Sequence, residues 1–436
     1  MPAVITAWSS WEATLRRPAA SSYEEATLSQ DARDKPIESK PRPLEGIRVL
    51  DASTFLAGPH CATLFAEFGA EVIKIEMPGA GDSLRRLGKM VEGYSLWWRV
   101  EARNKKTATL DLRKPVGQDL FKRLVAISDV VVENFRPGTM EAWNLGWEQL
   151  REVNRGLVMV RISAFGQTGP LSKRPGFARI AHAFAGLTYL CGEPGRVPVM
   201  PGTASIADFL SGVYAAFGAM VALRHRDRTG EGQYIDLGLY ESIFRILEDT
   251  AILYDQTGHV RQRLGSATEN ATPHNHYLCQ DGEWIAVACT NDTMFQRLCR
   301  AMGRPELAQH PDYDTNAKRV ARRAEVDKIV QDWLLTLPSQ EALRILEENE
   351  VPNGPLYSIA GIFADEHYRA REDIIAVEDP KLGMVRMSNV VPRLSLTPGR
   401  VDFPGREVGQ DNDEVYGRIL GLSEAEMDRL REEGVI

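Results

Sequence analysis

The feature that most constrains this chain is an alternation of short apolar runs with amphipathic segments, beginning at Leu44. Residues 47–51 (Ile-Arg-Val-Leu-Asp) read as a strand. Gly58-Pro59 then opens a helix with Cys61, Leu64, Phe65 and Phe68 on one face, Gly69 closes it, and residues 71–76 form a second apolar run. Strand, helix and strand within about thirty residues make a βαβ unit, and a crossover of that length returns the chain parallel to itself. The pattern recurs with a strand at 107–112, a helix at 115–127 and strands at 129–134 and 157–163. Helices covering both faces of such a sheet predict a doubly wound α/β domain.

Residues 205–224 predict a long helix dense in Ala, Ser and Gly, a composition that lets another backbone approach closely. A turn at 229–233 leads to a strand at 234–237. Beyond about residue 250 the texture changes to a strand at 282–288 and amphipathic helices at 294–302, 322–335 and 340–349, which predict a smaller α+β domain. Helices at 412–420 and 423–433 then pack back on the rest. The expected organisation is an extension over 1–42, a large domain over 43–245, a linker over 246–270, a small domain over 271–375, and a returning segment over 376–436. The extension has no sustained periodicity and reads as flexible. Glu12, Glu24, Glu25 and Asp31 are wrong for a transit peptide, which avoids acids.

A net charge of -8 argues against nucleic acid as a partner, since phosphate backbones call for basic surfaces. An anionic ligand must therefore meet local clusters of Arg and Lys. The five cysteines, Cys61, Cys191, Cys279, Cys289 and Cys299, are scattered without zinc-ligand spacing and read as reduced thiols of a cytoplasmic protein. No apolar run approaches the roughly 20 residues of a membrane span, so no membrane partner is expected. His274 and His276 flank Asn275 without a neighbouring acidic or cysteine cluster, so no metal site is expected, and they read as a loop touching substrate or as an uninvolved surface loop. No G-x-S-x-G, P-loop or H-E-x-x-H motif occurs.

Arg85 and Arg86 follow the second strand, Lys105, Lys106 and Arg113 bracket the third, and Arg136 follows the fourth. Open α/β sheets bind ligands at the carboxyl ends of their strands, so these cations fit a phosphate-rich ligand such as coenzyme A. Asp208 stands near the start of the small-residue helix, among Ile206, Ala207, Phe209 and Leu210. An Asp there is ordinarily a cap or a favourable dipole partner. The alternative is a partly desolvated carboxylate kept anionic by the helix N-terminus, the state a nucleophilic carboxylate needs.

Several segments together resemble the family III CoA-transferases, which include formyl-CoA transferase, carnitine CoA-transferase and 2-methylacyl-CoA racemases. They are Leu-Glu-Gly-Ile-Arg-Val-Leu-Asp at 44–51, Ala-Gly-Pro at 57–59, Phe-Gly-Ala-Glu-Val-Ile-Lys-Ile-Glu at 68–76, Asn-Lys-Lys at 104–106, Glu-Asn-Phe-Arg-Pro-Gly at 133–138, Phe-Gly-Gln-Thr-Gly-Pro at 165–170 and the terminal Gly-Val-Ile. The resemblance runs from about residue 43 to the end. It implies a Rossmann-like large domain completed by the C-terminal segment, a small domain, and two interlocked chains forming a homodimer or a heteromer with a related subunit. It places the family nucleophile on Asp208 and CoA contacts on Leu56, Ala57, Leu110, Arg113, Asn134, Phe135, Arg136 and Arg174. CoA thioesters are then substrates, and no permanently bound cofactor is implied.

The racemase branch uses a His directly after the glycine of the loop containing Pro175-Gly176, but here that residue is Phe177, which carries no proton. His182 sits on the next helix, where a structural role is expected. Leu56 and Met77 stand where formyl-CoA transferase has a Gln and a basic residue, which argues against the formyl/oxalate pair. The segments 174–182, 201–208 and 239–242 look like the branch that moves CoA from succinyl-CoA to malate or citramalate. A C4–C5 diacid such as malate, citramalate or itaconate keeps one carboxylate free during reaction, and burying it unpaired is costly. Arg179 is a candidate partner, with Arg85, Arg86 and His276 as others; the alternative is that Arg179 makes only a surface ion pair.

Overall fold

The computed structural model describes residues 42–436 except Thr203, and the expected extension lies outside the described residues apart from Arg42. The central sheet holds six parallel strands: β1 Arg48–Asp51, β2 Glu71–Glu76, β3 Lys105–Thr109, β4 Val130–Glu133, β5 Val158–Ser163 and β6 Tyr234–Gly238. Their order is β3-β2-β1-β4-β5-β6, the Rossmann order, with the reversal of winding between β1 and β4. β2, β4 and β5 carry almost no exposed residue, as strands covered on both faces must.

The helices that matter for the site are α1 Ala57–Glu67, α2 Pro115–Val125, α3 Ala178–Phe184, α4 Ile206–Thr229 and α5 Leu239–Arg245. One core joins α2 and the C-terminal residues Val415, Tyr416, Met427, Leu430 and Ile436 to one face of the sheet; the other joins α1, α3, α4 and α5 to the opposite face. The C-terminal segment is stitched to β3: Asp111 N–H donates to Val435 O at 2.8 Å and Tyr416 Oη–H donates to Thr109 O at 2.7 Å. Its first helix, Asp413–Ile419, winds as a π-helix where an α-helix was expected.

A separate core is built wholly from residues between Tyr277 and Val351, around the antiparallel sheet of β7 His274–Leu278, β8 Trp284–Ala288 and β9 Asn353–Pro355. Cys279, Cys289 and Cys299 are buried thiols within it.

α4 runs five residues past the expected end, closing on Gly230 in a left-handed conformation. By length and composition it is apolar enough to cross a membrane, which corrects the sequence expectation that no run approaches such a span. Its small residues Ala207, Ser211, Gly212, Ala215, Ala219 and Ala222 are nonetheless buried within the protein.

Candidate active site

The loops leaving β1 and β4 meet at the reversal of the sheet, where doubly wound folds place their ligands. Asn134 clasps them together. Its Oδ1 accepts from Thr54 N–H at 2.7 Å and its Nδ2 donates to Thr54 O at 2.7 Å.

Beneath the loop after β1 lies a buried charge network. Lys105 Nζ is 2.9 Å from Asp51 Oδ2 and donates to Pro59 O at 2.6 Å. Lys74 Nζ is 3.1 Å from Asp82 Oδ2 and 3.5 Å from Asp51 Oδ1, and it also donates to Ser53 O. Two carboxylates thus balance two ammonium groups, the condition under which buried charge is tolerated. Burial alone would raise the Asp51 carboxyl, but Lys105 and Lys74 outweigh it and hold it below its ordinary value. Asp82 accepts from Phe55 N–H at 3.1 Å and holds Phe55 at φ 71°, a left-handed conformation that is costly for a bulky residue. The network therefore sets the shape of the loop entering α1.

α1 and α3 converge on the start of α4. It crosses α1 so closely that a Cβ on Gly212 would lie 3.0 Å from Ala57 O and 2.9 Å from His60 Cδ2. A side chain there would have to move the His60 ring and push the α1 backbone back by a few tenths of an ångström. Asp208 lies one helical turn earlier on the same face. The Phe209 ring meets the His60 ring edge-on at 4.8 Å, and His60 Nδ1 is 3.1 Å from Glu101 Oε2. From α3, His182 Nε2 accepts from Ala207 N–H at 2.9 Å. The loops before α1 and α3 touch through Phe55 and Phe177, with ring centroids 5.8 Å apart.

Asp208 itself is 6% exposed. The Asp208 and Phe209 amides both donate to Ser205 O, and the Ala207 amide goes to His182, so the first turn sends no backbone donor to the Asp208 carboxylate. Burial pushes the carboxyl up to about 7. Desolvation is thus the influence that moves the Asp208 carboxyl from its ordinary value. Among the described residues no group donates a hydrogen bond to it, and a largely desolvated carboxylate is a reactive nucleophile once ionised.

The remaining sequence candidates divide by exposure. Leu56 and Leu110 are 1% exposed, so their side chains offer a ligand no surface, and Ala57 is buried at the α1–α4 crossing. Phe135 is half-buried against Trp143, and its N–H donates to Glu133 at 2.8 Å. Burial lifts Glu133 to about 7 against the pull of Arg161, 2.8 Å away. Arg136, Arg174 and Arg179 are exposed and have no ion-pair partner among the described residues. Arg113 is exposed but grips Asp111 at 2.8 Å.

Other cations are committed elsewhere. Arg85 makes two 2.7 Å bonds to Glu76 and lies over the Trp98 ring, and the exposed Arg86 donates to Ala80 O. Lys105 and Lys106 occupy the amino end of β3, opposite to the ligand crevice, so their expected place at a carboxyl end is corrected: Lys105 serves Asp51, and Lys106 serves Glu71 and Glu414. His276 is exposed on β7, paired with Ala286, within the separate antiparallel sheet. Among the described residues no cluster of three or more His, Cys, Asp or Glu is poised to hold a metal ion.

Sequence reasoning missed Lys74, Asp82 and the His182 bond. A lysine inside the apolar run Val72-Ile73-Lys74-Ile75 was the available signal, because a charge in a doubly covered strand requires a buried partner.

Fold and site together define an α/β enzyme with a desolvated carboxylate beside a dinucleotide-type crevice. The profile of CoA-transferase family III matches residues 44–412. The succinyl-CoA–L-malate CoA-transferase alpha subunit of Chloroflexus aurantiacus is 49% identical over 396 residues, spanning 90% of this chain and 92% of that one. The succinyl-CoA–D-citramalate CoA-transferase of the same organism is 47% identical over 397 residues, spanning 91% and 98%. A crystal structure of a CAIB/BAIF family protein from Brucella suis superposes with a TM-score of 0.77 at 31% identity, covering 87% of this chain and 99% of that chain. The chain belongs to CoA-transferase family III. It is a CoA-transferase, and its substrates are CoA thioesters and carboxylic acids.

Proposed function

We propose that the protein moves CoA from succinyl-CoA to a C4–C5 dicarboxylate through a thioester on Asp208. The observation that carries this reading is the buried Asp208 carboxylate, without a hydrogen-bond donor among the described residues, at the meeting of α1, α3 and α4. An Asp208 oxygen attacks the succinyl thioester carbonyl; the tetrahedral adduct expels CoA thiolate and leaves a mixed anhydride. The thiolate then attacks the Asp208 carbonyl carbon, the anhydride C–O bond breaks, succinate departs and aspartyl-CoA remains. The acceptor carboxylate runs both steps in reverse. Exchange between two carboxylic acids is near thermoneutral, so the enzyme's main task is to keep water from the intermediates, which burial serves.

Succinyl-CoA and hydroxylated diacids follow from the names of the two Chloroflexus relatives, whose identity to this chain is 49% and 47%. The exposed, unpaired Arg174 and Arg179 on and just after the loop that touches Phe55 supply charge for the acceptor's free carboxylate. CoA lies in the crevice of Leu56, Ala57, Asn134 and Arg136. The proton-transfer chemistry of a racemase is disfavoured because Phe177 has no proton and the His182 Nε2 is already occupied.

Val213, Phe217, Met220 and Val221 form an exposed apolar stripe along α4, which supports a second chain covering it. The partner is a second copy or a related subunit, since similar relatives carry alpha and beta designations. Such an enzyme works in the cytoplasm, where acyl-CoA is available. A matrix of acyl-CoA donors against free acids, read by mass spectrometry, tests the reading. Malate or citramalate should exceed butyrate by at least about tenfold, and Asp208→Asn should lose at least about a thousandfold in turnover. Preference for butyrate or an aromatic acid would refute the acceptor class.

A further inference from the structure

The bond between α3 and α4 is unusual in what it costs. His182 is fully buried, and its Nδ1 has no hydrogen-bond partner among the described residues. An orphaned buried polar group is costly, which asks for a reason on the other side of the ring. There, Nε2 accepts from Ala207 N–H at 2.9 Å, so the ring is neutral with its proton on Nδ1. Burial, then the nearby Arg179, both favour that neutral form.

The bond also replaces a simpler device. Ser205 is the N-cap residue of α4 and of a type that commonly caps, yet its side chain accepts no hydrogen bond from the helix. His182 caps the second residue of the helix from a different element. Without it, the Ala207 N–H would be a free donor one residue from Asp208, and acidic side chains in a first helical turn take up such donors. A carboxylate so bonded is stabilised and less reactive.

We propose that His182 is a positioning residue for Asp208: it fixes the first turn of α4 and withholds the Ala207 amide from the carboxylate. The inference rests on Asp208 being the nucleophile. The ionisable groups near this end of α4 are Arg179 on α3, Tyr240 and Glu241 on α5, and the His60–Glu101 pair beside Phe209. Glu241 is already bonded to Gly238 N–H at 2.7 Å.

The test uses the full chain with succinyl-CoA and L-malate, comparing His182→Leu, His182→Gln and His182→Asn. A glutamine oxygen falls where Nε2 lies, whereas the shorter asparagine does not reach the amide. His182→Leu and His182→Asn should lose at least about tenfold in kcat, with KM for succinyl-CoA within about twofold. The acid limb of kcat/KM should move down by about one pH unit or more, because the freed amide stabilises the Asp208 anion. His182→Gln should restore both within about threefold. A purely structural histidine would lower the melting temperature but leave kcat per folded enzyme and the acid limb in place.

Unchanged kcat and acid limb in folded His182→Leu would overturn the proposal, as would a folded His182→Gln as impaired as Leu. Should the Leu variant not fold, His182→Asn decides by the same criteria. Turnover by Asp208→Asn would remove the nucleophile reading whatever His182 does. An inactive Asp208→Asn beside normal His182 variants would remove only the positioning role.

Discussion

Replacing Asp208 with Asn should abolish transfer and also stabilise the protein, by an amount that depends on pH. The carboxyl is raised by burial from 3.8 to about 7 in the folded chain. A group with a raised folded value binds its proton more tightly in the native state, so the native state loses stability as pH rises from the unfolded value through the folded one. Asn is neutral at every pH and escapes that loss. The rise of about three pH units corresponds to about 4 kcal/mol at most, at about 1.36 kcal/mol per unit. For a chain of this size that ceiling is a melting shift of about 4 °C, taking about 2.1 cal/mol/K per residue for the unfolding entropy.

The assay is the difference in apparent melting temperature between wild type and Asp208→Asn, at one scan rate and protein concentration, from pH 4 to pH 8.5. Titration of every other group cancels in that difference. It should be near zero at the acid end, rise between pH 4 and 7, and level off above. A flat difference, or one that falls with pH, would show that burial does not raise the Asp208 carboxyl.

The same titration should govern catalysis: kcat/KM is expected to fall about tenfold per pH unit below a midpoint near 7, whereas a profile flat down to pH 5 would contradict an Asp208 nucleophile. Lys105→Met should destabilise by about 3–5 kcal/mol in denaturant titration because it leaves Asp51 buried beside Lys74 alone, whereas Lys106→Met, at the partly exposed end of β3, should cost about 1 kcal/mol or less. Gly212→Val should cost about 1–3 kcal/mol and most of the activity, since its side chain must push α1 away from α4, as melting and turnover would both register.

The fold was legible where two-sided burial makes a pattern. The run at 71–76 is β2 to the residue, and the strand at 157–163 differs from β5 by one position. β3 was placed two residues late at its start and three at its end because Lys105 and Lys106 look like loop or ligand residues. Lys105 is in fact inside, and the partner that permits this, Asp51, comes from a strand that no local pattern connects to it. Cations were the least legible feature of the site. Arg85 and Arg136 look equivalent in sequence, yet Glu76, nine residues upstream at the end of β2, neutralises one while the other is exposed. Asp208 could be singled out only by its family position, since a cap and a nucleophile share the first turn of a helix. What separates them is where the neighbouring amides go, and that depends on Ser205 O and on His182 from another helix.

The central claim is that Asp208 carries CoA covalently. Enzyme incubated with succinyl-CoA without an acceptor, then treated with hydroxylamine and digested, should carry a hydroxamate on the peptide containing Asp208, with matching loss of transfer activity. The modification should be absent when succinyl-CoA is omitted. Full transfer activity with no adduct on Asp208, or an adduct confined to another carboxylate, would contradict the account.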